Sequence, residues 1–157
     1  MKLMSTVLVV KDIDKSRKFY EDLLGQEPNV DLGVNVSYDG FAIQSLESWT
    51  NFIYKDEDSV KLRKHNGAEL YFEVSDFEDF IKKLESYDEN IEILHPVKEF
   101  PSGQKVIRLY DPDNHIIEVG EDMRQIIKKH FYNGMSITEI AELLEINKDY
   151  IKHIIEQ

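Results

Sequence analysis

One segment places a carboxylate, Glu118, a few residues past a tight turn: Tyr110-Asp111-Pro112-Asp113-Asn114-His115-Ile116-Ile117-Glu118. Such a group can serve as a general base, ligate a hard cation or hold a cationic ligand. An earlier segment echoes it, Tyr38-Asp39-Gly40-Phe41-Ala42-Ile43-Gln44, with the polar Gln44 at the matching place. Strand alternation puts Glu69 and Tyr71 on one face, so a second carboxylate accompanies a ring that can stack on a ligand and a hydroxyl that can donate. A core ring with its hydroxyl at the rim is the open alternative for Tyr71. Val106, Arg108 and Tyr110 share another face, and Ile107 and Leu109, packing against a helix, turn Arg108 toward a cavity as internal partner of the glutamates.

The elements that carry these groups repeat. Ser5 to Val10 is a β-branched apolar run, and Asp12 stands where a carboxylate would cap a helix holding Ile13, Phe19, Tyr20, Leu23 and Leu24, stopped by Gly25. Val34 to Tyr38 and Phe41 to Leu46 read as strands joined by Asp39-Gly40, with a weaker strand between Gln26 and Val30. The second copy runs from a strand at Ala68 to Val74 into a helix with Phe77, Phe80, Ile81 and Leu84, for which Ser75 and Glu78 form a capping box. Strands at Ile91 to Leu94, Lys105 to Tyr110 and Ile116 to Val119 follow, with Pro96 and Pro101-Ser102-Gly103 as breaks between the first two. Glu47 to Asn66 shows no period and reads as a tether between the copies, although its Trp49 could close a pocket.

From Glu121 the pattern is helical. Ile126, Ile127 and Phe131 line a first helix ending at Gly134; Ser136 and Glu139 box a second; Asn147 caps a third with Ile151, Ile154 and Ile155 inward. Met135 to Ile155 is similar to a helix-turn-helix, which would set Lys148, Tyr150, Lys152 and His153 on the exposed face of its second helix. Charge opposes a DNA role, since residues 121–157 hold five Lys or Arg against seven Asp or Glu. Packing on its own domain or on a second copy is the plainer role for these helices.

Composition narrows the classes further. The 157 residues include no cysteine, which excludes disulfides, thiolate metal sites and cysteine nucleophiles. A formal net charge of -12 repels nucleic acid and anionic membranes alike, leaving a small molecule as the expected partner. Apolar runs are too short to span a bilayer and no secretory pattern opens the chain, so the expected location is the cytoplasm. There is no Gly-rich phosphate loop, no Gly-x-Ser-x-Gly elbow and no His-Glu-x-x-His. His115 stands alone on its turn and reads as a surface residue, and His65, His95, His130 and His153 show no pairing pattern.

The two βαβββ units, their Val-x-Asp helix entries, the Phe19-Tyr20-x-x-Leu23-Leu24-Gly25 helix exit and the Asp111-Pro112-Asp113-x-x-Ile116-x-Glu118 hairpin together resemble the vicinal oxygen chelate superfamily. That group includes glyoxalase I, bleomycin-resistance proteins and extradiol dioxygenases. The resemblance implies an α+β fold over residues 1–121, as module one (1–46), linker (47–66) and module two (67–121), forming a curved mixed sheet. Residues 122–157 form a C-terminal three-helix extension.

Metal-dependent members of that superfamily draw ligands from the first and last strand of each unit, which points here to Ser5, Gln44, Glu69 and Glu118. No imidazole is among them, and Ser5 stands where relatives commonly carry His. Two carboxylates with Gln44 would suit one weakly held, oxygen-ligated divalent ion such as magnesium, manganese or calcium. Two carboxylates facing one cavity would also raise the pKa of at least one, making Glu69 or Glu118 a candidate base. The resemblance therefore implies a small organic ligand bound between Ser5, Gln44, Glu69, Tyr71, Arg108 and Glu118, with Tyr110 and Trp49 as further lining, in a homodimer. Catalysis would be metal-assisted proton transfer next to a carbonyl. Metal-free sequestration of a drug or metabolite, and a ligand-sensing regulator acting through the tail, are the alternatives.

Overall fold

The computed structural model describes residues 1–157 and contains two four-stranded sheets. The first is built from β1 (Thr6–Val10), β2 (Val30–Asp31), β3 (Asn35–Ser37) and β4 (Phe41–Ser45), in the order β1-β4-β3-β2. The second is built from β5 (Glu69–Val74), β6 (Ile93–Glu99), β7 (Lys105–Tyr110) and β8 (Ile116–Glu121), in the order β5-β8-β7-β6. Each sheet thus places the last strand of its repeat beside the first, the internal symmetry that the echoing segments predict. Pairing of β1 with β4 is parallel and sets Val9 opposite Gln44, while β3 pairs antiparallel with β4. The architecture is α+β.

Helix starts follow the duplication. Asp12 caps α1 (Ile13–Arg17) by accepting the Lys15 amide at 3.0 Å, and Asp76 does the same before α3 (Phe77–Ser86) by accepting the Asp79 amide at 2.9 Å. The expected Ser75–Glu78 box is therefore corrected to an Asp76 cap; Glu78 reaches instead to Lys105 Nζ at 2.6 Å. Beyond Arg17 the first helix widens into a π-helical stretch, Lys18–Leu23, which buries Phe19, Tyr20 and Leu23.

Two further expectations fail. The tether after residue 46 holds a helix, α2 (Leu46–Ile53), capped by Ser45 through the Ser48 amide and closed by Tyr54 at φ 56°. Pro96 does not end its strand: β6 runs through it, at the sheet edge, with two register shifts against β7. An edge strand has no partner on its outer side, so a missing N–H costs nothing there and the bulge absorbs the ring.

By contact density the chain divides into two compact units, and the division does not follow the halves of the sequence. One comprises Met1–Leu70, Ser86–Glu92 and Tyr110–Ile116; the other comprises Tyr71–Glu85, Ile93–Leu109 and Ile117–Gln157. The first is cored by Val10, Phe19, Tyr20, Leu23, Val36 and Ile43. The second is cored by Val106, Ile107, Leu109, Ile117 and Val119, and includes α4 (Met123–Tyr132), α5 (Ile137–Leu144) and α6 (Lys148–Glu156). These three helices close over Ile127, Ile140, Ala141, Ile151 and Ile154. Burial of each large side chain contributes about 1.5–3 kcal/mol, enough to hold helices too short to stand alone. The Ser136–Glu139 capping box and the Asn147 cap form as the sequence predicts. No helix is long and apolar enough to cross a membrane.

Candidate functional site

The polar face of the second sheet brings together three residues singled out from the sequence. β8 is an interior strand with almost every residue buried, so a carboxylate on it needs a partner. Glu118, 8% exposed, finds one in the Arg108 guanidinium from β7. His95 of β6 lies opposite Arg108 in the ladder, its Nε2 3.3 Å from Arg108 Nη1 and its Nδ1 2.8 Å from the Pro96 carbonyl. A carbonyl only accepts and a guanidinium only donates, so this arrangement fits the imidazole tautomer with its proton on Nδ1.

Tyr71 of β5 stands on the same face. Its hydroxyl donates to Glu73 Oε1 at 2.8 Å and accepts from Gln104 Nε2 at 2.8 Å; Gln104 also donates to the Glu121 carbonyl at 2.9 Å. Burial, and then the Glu73 carboxylate, push the Tyr71 phenol up to about 12, so it remains protonated and able to donate at neutral pH. Gly120, two residues beyond Glu118, leaves room for this network. A Cβ there would lie 2.9 Å from Gln104 Nε2 and 3.3 Å from both the Tyr71 ring and a Val106 methyl. Gly120→Ala is therefore expected to cost about 1–2 kcal/mol by overpacking, read by urea denaturation. A variant as stable as the parent would show that Gln104 yields its place freely.

The other expected site residues have different surroundings. Ser5 is exposed and its hydroxyl donates to the neighbouring Thr6 carbonyl. Gln44, 3% exposed, has both ends of its amide engaged: Nε2 donates to Ser48 Oγ at 3.1 Å and Oε1 receives Asn35 Nδ2 at 3.5 Å. Trp49 is half-buried on α2. Tyr110 is buried, its hydroxyl donating to Asn66 Oδ1 at 2.7 Å. Glu69 opens β5 and lines a pocket of ≈ 300 Å³ in the first unit.

These donors do not fit a metal ion. No three His, Asp or Glu side chains are grouped as one requires. Glu118 already has a cation, and the Gln44 amide is already used by its neighbours.

His115 is the residue that sequence reasoning misplaced. It is half-buried, and its Nδ1 lies 2.8 Å from Asp111 Oδ2, which also accepts the hydroxyl of the buried Tyr20 at 2.7 Å. Burial opposes a charge on His115, but the Asp111 hydrogen bond and the Asp111 and Asp113 charges outweigh it and raise its pKa above the ordinary histidine value. The available signal was a carboxylate four residues before the imidazole across a turn.

The profile of the glyoxalase-like domain family matches residues 3–124. A protein of unknown function from Agrobacterium tumefaciens str. C58 is 34% identical with TM-score 0.69, the match covering 78% of this chain and 94% of that one. A lactoylglutathione lyase from Agrobacterium tumefaciens is 21% identical with TM-score 0.54, covering 78% and 94%. A fosfomycin resistance protein from Mesorhizobium loti is 16% identical with TM-score 0.56, covering 77% and 92%. The last two likenesses are of fold alone. A comparison with curated proteins returns no match.

Proposed function

Since the chain belongs to the glyoxalase-like family, we propose that it binds a small organic molecule against the polar face of the second sheet without a metal ion. The observation that carries this reading is the Arg108–Glu118 pair: the carboxylate at the position the family resemblance assigns to a metal ligand is neutralised by a guanidinium. A ligand suited to this face offers a donor to Glu118 and an acceptor to Arg108, with the remaining lone pair of the Tyr71 oxygen as a further acceptor, its proton being held by Glu73. The net charge of -12 favours cationic or zwitterionic molecules over anions wherever no local cation offsets it.

Proton transfer at this face would have to proceed with these residues alone, so binding or sequestration is the better-supported activity. The reading gives α4 to α6 a packing role, consistent with the interior of their cluster. It retains the expected cytoplasmic homodimer, for which the exposed Val30, Leu32 and Val34 offer apolar surface.

Calorimetric titration of magnesium, manganese, nickel and zinc is expected to give no stoichiometric binding, in the parent or in Glu118→Ala. Ligand hits from a thermal-shift panel of small amines, amino acids and hydroxy acids should be unchanged by EDTA. A tight one-to-one ion lost in Glu118→Ala would sink the reading.

A further inference from the structure

The pocket in the first unit has a chemistry of its own. Its ≈ 300 Å³, open on one side to solvent, is lined by the apolar Val7, Val60, Leu62, Leu70 and Ile116, with Glu69, His65 and His115 as ionisable groups in the same wall. At the roughly 30 Å³ a water occupies in the liquid, this admits about ten non-hydrogen atoms. It lies at the small end of ligand sites, which are typically about 300–1,000 Å³, apolar, with few polar groups to orient the occupant.

His115 is locked in place. Its Nδ1 is held by Asp111 Oδ2, and its own backbone amide donates to Asp111 Oδ1 at 2.8 Å. The carboxylate is fixed in turn by the Tyr20 hydroxyl and by the Asp113 amide at 2.9 Å. Nε2 has no partner within the protein. With the Nδ1 proton directed at Asp111, neutral His115 presents Nε2 as a base, and the protonated ring presents it as a charge-assisted donor. An imidazole oriented in this way at an apolar wall selects a ligand with an apolar body and one acidic head.

We propose that this pocket binds a small weak organic acid, an aliphatic or aromatic carboxylate of about ten non-hydrogen atoms, with its carboxylate on His115 Nε2. Asp111 is a positioning residue: it fixes the ring and compensates the imidazolium that forms. When a carboxylate enters above the histidine pKa, one proton passes from solvent to Nε2, so complex formation takes up a proton. The ionisable groups around the imidazole are Asp111 and Asp113 on its own turn, Tyr20 from the first helix, and Glu69 and His65 on the pocket wall.

Hexanoate and its neutral analogue hexanol are the probes, followed by NMR of the His115 ring protons and by calorimetry in buffers of different ionisation enthalpy. Hexanoate should saturate the His115 signals, move their titration to higher pH and take up a proton, with hexanol at least tenfold weaker. His115→Gln should weaken hexanoate at least tenfold, and Val60→Trp, which fills the pocket and leaves the dyad intact, should abolish binding. The proposal is overturned if hexanoate leaves the His115 signals unmoved in the parent, or if Val60→Trp still binds it. Equal binding of hexanol would overturn the assignment of an acid. Any of these results leaves the reading of the Arg108–Glu118 face standing, because that face is probed by separate ligands and metals.

Discussion

Replacing Asp111 with Ala is expected to destabilise the protein by about 4 kcal/mol, since each buried donor left unpaired costs about 1–3 kcal/mol. Asp111 is 4% exposed, and its two oxygens accept four groups: the Tyr20 hydroxyl, His115 Nδ1, and the amides of Asp113 and His115. Alanine strands a hydroxyl at a fully buried tyrosine and loosens the turn that aims His115. Tyr20→Phe removes one donor and leaves the carboxylate three others, so it should cost only about 1 kcal/mol. The pH dependence has a definite sign. The folded-state pKa of His115 is raised, so the stability it contributes is fully present below about pH 6.5 and is lost as pH rises through the raised folded value. Asp111→Ala should flatten that slope. Urea denaturation from pH 5 to 9 reads both quantities, and a cost near 1 kcal/mol with an unchanged slope would refute the account.

Arg108→Met is expected to cost about 3 kcal/mol at neutral pH, the order found when one partner of a buried ion pair is removed. The Glu118 side chain is 10% exposed and would be left buried without its cation. Because an isolated buried carboxylate escapes its penalty by taking up a proton, the loss should shrink as pH falls. The double variant Arg108→Met with Glu118→Leu should recover most of the stability, since well-packed apolar groups replace buried ion pairs at little cost. A double-mutant cycle in urea measures this. Additive losses would mean that the two side chains do not depend on each other.

The sequence was most legible where one short-range rule decided the outcome. Asp12 and Asp76 occupy matching places in the repeat, and both cap helices, whereas the Ser75–Glu78 pattern lost to an adjacent carboxylate that is the stronger acceptor. The alternation that sets Arg108 beside Glu118 was readable because both strands are regular. Helix α2 was not, because Leu46–Ile53 mixes Ser, Thr, Trp and Asn and ends on a left-handed Tyr54 instead of a glycine. The His115 dyad escaped because its anchor, Tyr20, lies 91 residues away along the chain. Gln104 and Gly120 became meaningful only once the fold set them against Tyr71.

The bulged strand β6 has a consequence for how chains avoid one another. It is seven residues long, lies at the edge of its sheet and exposes Ile93, Leu94 and Val97, a composition that invites another chain to add alongside and start a fibre. Pro96 offers no hydrogen, and the two register shifts against β7 bend the strand away from a regular pleat. An incoming strand would find no unbroken ladder to copy, so β6 can keep its apolar side chains without becoming a template for aggregation.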